Sequence, residues 1–461
     1  MDKMNLRERR RQKRIEESLN TVKKSAVVVL AFAVLFTAIF FGVKLFTRHD
    51  ADATGGAEKT DMAKLQEGTD KSDTTDVSSA DDAGSTKLSS DSQSPNDESS
   101  ALSENSDNSV SDNSIEDTTI YFSHKDWIND HPKVRGIYVT GSIAGSERFD
   151  EMIRIADETE INTFVIDIKN DGGEVTYLMD DDTLPGRYDC CVNFIRDIDG
   201  MMKTLKEHNV YTIARIVCFK DPLLAKARND LALMNSQGTP VTDGAGNAWV
   251  NPCSEEVWDY IASIAETCAD LGFDEIQFDY VRFPVGDAAD AADYGTDLTP
   301  EKKHEYITGF LNYAAERIHK KGIPVTADLF GTVIGNPTDV LNVGQDYAEL
   351  ASCVDALCPM IYPSHYGVGN FNLDVPDAHP YETILAALEG SKEELADIDA
   401  ESCAVVRPWL QDFTATWVDG YITYGETQIR DQIKAVYDAG YDEWILWNAK
   451  NNYTTGALAA E

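Results

Sequence analysis

The chain has 461 residues, and its acidic side chains outnumber its basic ones so strongly that the formal charge is −40. A protein this acidic is repelled by phosphate groups, so we expect no nucleic-acid partner. The length would allow about two or three domains, but the composition varies so much along the chain that the folded part is expected to be shorter.

The N-terminal residues predict a basic cytoplasmic tail and a membrane anchor. Residues 1–24 contain nine Lys or Arg and four Asp or Glu, whereas residues 25–43 contain no charged side chain. A helix rises about 1.5 Å per residue, so an apolar segment over residues 25–46 can cross a hydrocarbon core of about 30 Å. Because basic flanks stay in the cytoplasm, the sequence predicts a single-pass protein of the cell membrane with an extracellular C-terminal domain.

A cleaved signal peptide is the alternative for residues 25–46. Ala51-Asp52-Ala53 has the small-x-small pattern of a processing site. The apolar segment is longer than the usual core of a signal peptide, about 7–15 residues, which favours the anchor. Both interpretations predict that the C-terminal domain is exported.

Residues 47–119 differ in composition from the residues that follow. They are rich in Ser, Asp, Thr, Asn, Gly and Glu, and they lack Phe, Tyr and Trp. Such a segment buries too little apolar area to offset the loss of chain entropy on folding, so we expect a disordered acidic linker. Aromatic and β-branched residues become frequent from residue 120, which predicts a folded domain over residues 120–461.

Eight apolar, β-branched segments alternate with helical patterns in this domain. The strand candidates are Val134–Gly141, Thr163–Asn170, Tyr211–Phe219, Glu275–Pro284, Pro324–Gly331, Ala356–Tyr366, Ala404–Phe413 and Glu443–Asn451. Helical spacing of apolar residues falls between them, over Phe149–Glu158, Met201–His208, Val257–Leu271, His304–Lys321, Tyr381–Leu388 and Thr427–Ala439. Regular alternation predicts parallel strands joined by right-handed crossovers, and eight such units fit an α/β fold of the (β/α)8 TIM-barrel type. An open, doubly wound sheet is the alternative.

Polar residues at the C-terminal ends of the strands are the candidates for chemistry, because the active sites of such barrels lie there. Asp167 and Lys169 end the second strand two residues apart, which predicts that they share a face. They are candidates for substrate binding, with a buried Asp–Lys ion pair as the structural alternative. Arg215 lies in an apolar third strand and needs an acidic partner, because burying an unpaired guanidinium is costly.

The fourth strand gives the strongest signal, the segment Phe-Asp-Tyr-Val-Arg-Phe-Pro at 278–284. Asp279 can stay ionised beside Arg215 or Arg282, as a catalytic carboxylate requires. Asp328 ends the fifth strand at the matching height, so two carboxylates are predicted in one barrel mouth. Such a pair can protonate a leaving oxygen and either attack the substrate or activate water. The structural alternative is that Asp279 only holds the two arginines.

The last three strands carry aromatic and amide side chains at their C-terminal ends. Such groups suit the binding of sugar rings, although core packing explains a tryptophan equally well. No metal or organic cofactor is predicted, because the sequence lacks an HExxH motif, an EF-hand-like loop and a Gly-rich phosphate loop. The candidates for substrate binding are Tyr362, His365, Trp409, Gln411, Trp447 and Asn448.

Three motifs carry a resemblance to a known family: Arg-Gly-Ile-Tyr-Val-Thr at 135–140, Val-Ile-Asp-Ile-Lys-Asn-Asp-Gly-Gly at 165–173, and the motif at 278–284. With them, the chain resembles a bacterial family of glycosyl-hydrolase domains. The resemblance implies a TIM barrel distantly similar to the α-amylase-type glycoside hydrolases. That group has an Arg two residues before its strand-4 nucleophile and a Glu acid on strand 5.

This chain departs from the α-amylase pattern at both of those positions. Gln277 stands two residues before Asp279, and Asp328 stands on the fifth strand. Glu349, in a later loop, is therefore kept as an alternative proton donor.

These observations together predict a membrane-anchored, extracytoplasmic glycoside hydrolase of a cell-envelope or extracellular polysaccharide. Asp279 is expected to act as nucleophile or base and Asp328 as acid. Arg215, Asp167 and Lys169 are expected to orient the site. The alternative is a catalytically inactive barrel that binds a glycan or the cell wall through the same cleft.

Overall fold

The computed structural model describes residues 122–180 and 182–459, which form a closed barrel of eight parallel strands. Each strand pairs with the next along the chain, and the last returns to pair with the first. This closure confirms the predicted (β/α)8 barrel and excludes the open sheet. The strands are β1 (Arg135–Val139), β2 (Thr163–Lys169), β3 (Tyr211–Val217), β4 (Glu275–Asp279), β5 (Val325–Phe330), β6 (Ala356–Met360), β7 (Val405–Val406 and Trp409–Gln411) and β8 (Trp444–Trp447).

Helices connect the strands around the barrel, and the long helices after β3 and β4 pack against each other. A short antiparallel pair, Met234–Asn235 with Ala292–Asp293, joins the loops after β3 and β4. The α-helices span His124–Asp130, Gly141–Ala144, Phe149–Glu158, Leu184–Arg187, Ile198–Glu207, Pro222–Ala227, Glu255–Asp270, Asp287–Asp290, Lys303–His319, Pro337–Val343, Tyr347–Leu350, Pro380–Leu395 and Glu426–Asp438. Short 3-10 turns span Pro300–Lys302, Gly331–Val333, Pro363–His365, Asn370–Asn372, Pro376–Ala378 and Thr455–Ala457.

Three of the long helices turn into the next strand at a glycine. Gly272, Gly322 and Gly440 have φ values of +89°, +84° and +75°. A side chain with a Cβ atom is strained in this left-handed conformation, whereas glycine adopts it at low cost. The glycines therefore end these helices at a fixed place and set the start of β4, β5 and β8.

The strands are buried on both faces, as expected for an all-parallel barrel. Their outer faces pack against the helices in the main apolar core, to which Phe164 and Ile166 of β2 belong. Their inner faces meet in a second cluster, and charged side chains share the barrel interior with it. The inner cluster contains Val134, Tyr138, Val165, Ile213, Cys358, Tyr362, Trp409 and Ile445.

The N-terminal end of the barrel is closed by the helix His124–Asp130 and a buried ion network. Arg407 donates to Glu275 at 2.7 Å and to Glu443 at 2.9 Å, and all three side chains are fully buried. His131 lies 2.7 Å from the second oxygen of Glu443. Burial alone would raise the pKa of Glu443, but the charge of Arg407 and the contact with His131 lower it to about 2. These charges stabilise the N-terminal end of the barrel. The candidate site lies at the opposite end, where the strands terminate.

Several predicted segments lie outside the described residues. They are the basic tail at 1–24, the anchor at 25–46 and the linker at 47–119. In the part of the chain that the structure describes, no helix is both long enough and apolar enough to span a membrane.

Candidate active site

A buried arginine in β3 contacts three carboxylates, which we call the Arg215 cluster (Arg215, Asp167, Asp171 and Asp279). Arg215 donates to Asp167 at 2.5 Å and to Asp171 at 3.1 Å. Its Nε donates to Asp279 Oδ2 at 3.0 Å, and its Nη2 contacts the same oxygen. Asp167 lies opposite Arg215 in the β2–β3 ladder, and Asp279 ends the strand on the other side. The prediction that Arg215 has acidic partners is confirmed.

The electrostatics of the Arg215 cluster stabilise the charge of Arg215 and bring the pKa of Asp167 close to neutral pH. Burial opposes the charge of Arg215, but the charges of Asp167 and Asp279 outweigh it and raise the pKa of Arg215 well above its usual value. Burial raises the pKa of Asp167 to about 6, even though Arg215 lowers it. Within residues 122–180 and 182–459, no group of His, Cys, Asp and Glu is arranged to hold a metal ion. The Arg215 guanidinium supplies positive charge beside these carboxylates.

Asp279 is held at the end of β4 by its own neighbour as well as by Arg215. The backbone N–H of Tyr280 donates to Asp279 Oδ1 at 2.5 Å. Tyr280 has a φ of +48°, which is uncommon for a residue with a side chain and costs conformational energy. This conformation ends β4 at Asp279 and turns the following segment out of the ladder.

Asp328 lies on β5, one residue beyond the last paired residues of the β4–β5 ladder, Phe278 and Ala327. The indole N–H of Trp409 donates to Asp328 Oδ1 at 2.6 Å. The other carboxyl oxygen is buried and has no hydrogen-bond partner among the described residues. Burial, followed by the negative charge of Asp279, raises the pKa of Asp328 well above its usual value. Burial beside another carboxylate therefore favours the protonated form of Asp328.

Tyr138 on β1 is a functional candidate that the sequence did not single out. Its hydroxyl donates to Asp167, and its ring stacks on Trp447 with centroids 6.2 Å apart. The guanidinium carbon of Arg215 lies 5.6 Å from the Tyr138 ring centroid. Tyr138 lies in one of the family-like motifs, and the alternation of side chains along β1 would have indicated its inward direction.

Aromatic candidates from the segment after β6 and from β8 meet at the barrel mouth. Tyr362 lies 5.8 Å from Trp447 and 5.2 Å from the ring of His365, between ring centroids. Burial raises the pKa of Tyr362, and the charges of Asp328 and Asp279 raise it further. Burial lowers the pKa of His365 to about 4, so this imidazole is neutral at pH 7. The structure thus brings these three predicted residues together at the barrel mouth.

Lys169 is not brought to the Arg215 cluster. The β2–β3 register shifts between Asp167 and Lys169, so the expected sharing of one face is lost. The fully buried Lys169 ammonium lies 2.8 Å from Asp221 and donates to the Val217 carbonyl at 2.7 Å. The Asp167–Lys169 ion pair, expected as the structural alternative, is replaced by an ion pair with Asp221.

Two predicted amide residues hold the loops that surround the mouth. Gln411 is fully buried, donates to Asp377 at 3.0 Å and accepts from the Ser364 N–H at 3.1 Å. Asn448 donates to the Asp412 carbonyl at 2.5 Å. Both side chains therefore shape the segments after β6 and β7.

Arg282 packs among aromatic rings. Its guanidinium carbon lies 4.5 Å from the ring centroid of Phe330, 4.9 Å from Trp249 and 5.2 Å from Tyr280. Burial lowers its pKa. Arg215, one of the two arginines predicted beside Asp279, donates to its carboxylate.

A family model described as "Putative glycosyl hydrolase domain" matches residues 136–453, which is more than half of the chain. The chain belongs to this family. The match extends from β1 through β8 and includes Asp279 and Asp328. It confirms the predicted resemblance and the prediction of a glycoside hydrolase at the level of the family.

Solved structures share parts of this fold. The glycoside hydrolase domain of PgaB (BpsB) from Bordetella bronchiseptica is 15% identical, with a TM-score of 0.52, over 71% of this chain and 99% of that one. A hypothetical protein from Ruminiclostridium thermocellum is 34% identical over 43% of this chain and 98% of its own, with a TM-score of 0.38. The spore cortex-lytic enzyme SleL from Bacillus megaterium is 11% identical over 71% of this chain and 73% of its own, with a TM-score of 0.41. The PgaB likeness shows the fold alone, and no curated protein matches the chain.

Proposed function

We propose that this protein hydrolyses glycosidic bonds in a cell-envelope or extracellular polysaccharide, with Asp328 as proton donor and Asp279 as nucleophile or base. The supporting observation is a pair of carboxylates on adjacent strands that differ in their hydrogen-bond donors and in the charges around them. Asp279 accepts hydrogen bonds from the Arg215 guanidinium. Asp328 is buried and carries a raised pKa. Glycoside hydrolysis uses two carboxyl groups, one that donates a proton and one that attacks the sugar or activates water, and these different surroundings support that division.

The unpartnered oxygen of Asp328 supports its role as the acid. A buried polar atom without a hydrogen bond is costly, and a substrate oxygen would remove that cost by accepting the proton. Trp409 fixes the other oxygen and thereby the orientation of the carboxyl group. Protonation of the leaving oxygen would weaken the glycosidic bond as Asp279 attacks the sugar or activates water.

Glu349, the alternative proton donor, has surroundings that support this role less well. Its carboxylate lies 2.5 Å from His304 and is 36% exposed. Solvent and a basic partner both favour the ionised form of a carboxyl group. Asp328 is therefore the better candidate for the acid.

We further propose that the barrel is displayed outside the cell by the segment at 25–46. The basic residues of 1–24, the uncharged stretch that follows and the acidic linker at 47–119 support this topology. A polymer of the envelope or the surroundings would then be within reach of the barrel mouth.

The test is release of reducing ends by the full-length chain from peptidoglycan, chitin, β-glucan and α-glucan, compared with an Asp279→Asn variant. We expect at least one polymer to be cleaved by the wild type and the variant to lose most of that activity. Equal release by both proteins would rule out Asp279. Binding without release by the wild type would instead favour the inactive glycan-binding barrel.

A further inference from the structure

The rings at the barrel mouth continue outward in a connected series, which we call the aromatic path (Tyr138, Trp447, Phe413 and Trp417). Trp447 stacks on Tyr138 at 6.2 Å and meets Phe413 edge to face at 5.4 Å. Phe413 stacks on Trp417 with centroids 5.9 Å apart and planes 19° apart. The path begins beside the carboxylates, because Tyr138 donates to Asp167.

Exposure increases along the aromatic path from its inner to its outer end. Tyr138 is 8% exposed, Trp447 and Phe413 are partly buried, and Trp417 is 40% exposed. A large ring in solvent leaves apolar area uncovered, which a ligand with an apolar face can cover. The outer end of the path is therefore open to a ligand that also reaches the mouth.

The loop that carries the outer rings is held from several sides. Gln411 donates to the Phe413 carbonyl at 3.1 Å, and Asp412 accepts from the Thr454 hydroxyl at 2.6 Å. The Tyr424 N–H donates to the Thr414 hydroxyl at 3.0 Å. These bonds fix the start of the loop and join its two ends, which limits the positions open to the stacked rings of Phe413 and Trp417.

We propose that Phe413 and Trp417 form an outer sugar-binding subsite, which makes the substrate a glycan chain of several units that extends from the mouth across the loop after β7. Pyranose rings present axial hydrogens that pack on aromatic faces, as the faces along this path allow. The proposal rests on the proposed function and adds the length of the substrate and the side of the barrel on which it lies. We expect a single sugar or disaccharide bound beside the carboxylates to leave Trp417 uncovered, because the rings of Trp447 and Phe413 lie between them along the path.

Binding can be measured apart from catalysis in the full-length Asp279→Asn chain. The probes are soluble oligosaccharides of the chitin, β-1,3-glucan and maltose series, from disaccharide to hexasaccharide. We expect the affinity of one series to rise with length. Adding Trp417→Ala should weaken hexasaccharide binding about tenfold, the loss of one ring contact, and leave the disaccharide unchanged. Trp417→Tyr should restore most of the affinity, whereas Trp417→Leu, which keeps apolar bulk but no ring face, should not.

The outcomes separate the subsite from the catalytic proposal. Hexasaccharide affinity that is unchanged by Trp417→Ala, an equal loss for short and long probes, or no binding of any probe would overturn the subsite. Length-dependent binding that Trp417→Ala removes, together with no release of reducing ends by the wild type, would support the subsite and contradict hydrolysis.

Discussion

Asp279 and Asp328 lie on adjacent strands but accept hydrogen bonds from different donors. Asp279 accepts from a guanidinium that also donates to two other carboxylates, whereas Asp328 accepts from the indole N–H of Trp409. An ionised carboxylate is expensive to bury without a cation, and the pKa of Asp328 is accordingly raised. This asymmetry supports the proposed roles, with Asp328 as proton donor and Asp279 as nucleophile or base.

Trp409 is expected to influence the protonation of Asp328. Its hydrogen bond favours the ionised form of Asp328, so a Trp409→Phe variant should raise the pKa of Asp328 further. We expect the alkaline limb of the kcat/KM profile to move to higher pH, because an acid catalyst works only while protonated. The rate should also fall, since the carboxyl group loses its orientation. The measurement is a pH–rate profile on the polymer that the wild type cleaves.

Trp444→Phe is the matched control for that experiment. Trp444 is buried at the other end of the barrel, and its indole N–H donates to Tyr437. The Trp444→Phe variant should leave the alkaline limb of the kcat/KM profile at the same pH as in the wild type. If both variants shift the limb alike, or Trp409→Phe leaves it unmoved, Trp409 does not set the protonation of Asp328.

Among the elements, the strands were predictable but their ends were not. Apolar, β-branched segments located all eight, because a strand buried on both faces needs them. The fourth strand was predicted to run to Pro284, yet it ends at Asp279 because Tyr280 adopts a positive φ. The seventh is split before Trp409, where Pro408 has no N–H to donate to a ladder.

In the candidate site, positions on strands were also predictable from the sequence, whereas contacts that depend on register or on loop conformation were not. Asp167, Arg215, Asp279 and Asp328 were predictable, because each needs only a strand and its direction. The partner of Lys169 was not, because regular alternation gives no sign of the register shift in β2. Roles that depend on loop conformation, such as the burial of Gln411, also need coordinates.

The ion network at the closed end of the barrel makes a prediction about stability. Glu443 has a pKa of about 2 in the folded chain against a usual value of 4.5. A lowered pKa stabilises the fold above the unfolded value, and that stability is lost as the pH falls from 4.5 towards 2. The free energy involved is on the order of 3 kcal/mol. We expect Glu443→Gln to lower the urea midpoint at pH 7 and to flatten the dependence on pH below 4.5.

Lys125→Gln serves as the control, because the Lys125–Glu401 pair is exposed. Exposed pairs contribute little to stability. A wild-type urea midpoint that stays constant across this pH range would contradict the assignment to Glu443.

In the whole molecule, the structure describes the barrel, whereas the sequence alone predicts the segments that precede it. The structure explains how the barrel closes and how its charges are distributed between the two ends. The anchor at 25–46 and the linker at 47–119 remain predictions from composition. They predict a barrel outside the cell, and this topology can be tested without knowing the substrate.

That test is protease treatment of intact cells that produce the full-length chain. With the proposed topology, an added protease should degrade the barrel while a cytoplasmic marker survives. An Edman or mass-spectrometric determination of the mature N-terminus then distinguishes the anchor from a signal peptide cleaved near Ala53. A barrel that resists the protease until the cells are lysed would contradict export.

The pairing of Asp279 with Asp328 is tested most directly by comparing two leaving groups. Hydrolysis of the natural polymer and of an aryl glycoside with a good leaving group would be measured for the wild type, Asp279→Asn and Asp328→Asn. The assigned roles predict that Asp279→Asn loses at least about a hundredfold on both substrates, whereas Asp328→Asn loses that much only on the polymer, because a good leaving group needs no proton. Equal losses of Asp328→Asn on both substrates, or full activity of either variant on the polymer, would contradict those roles.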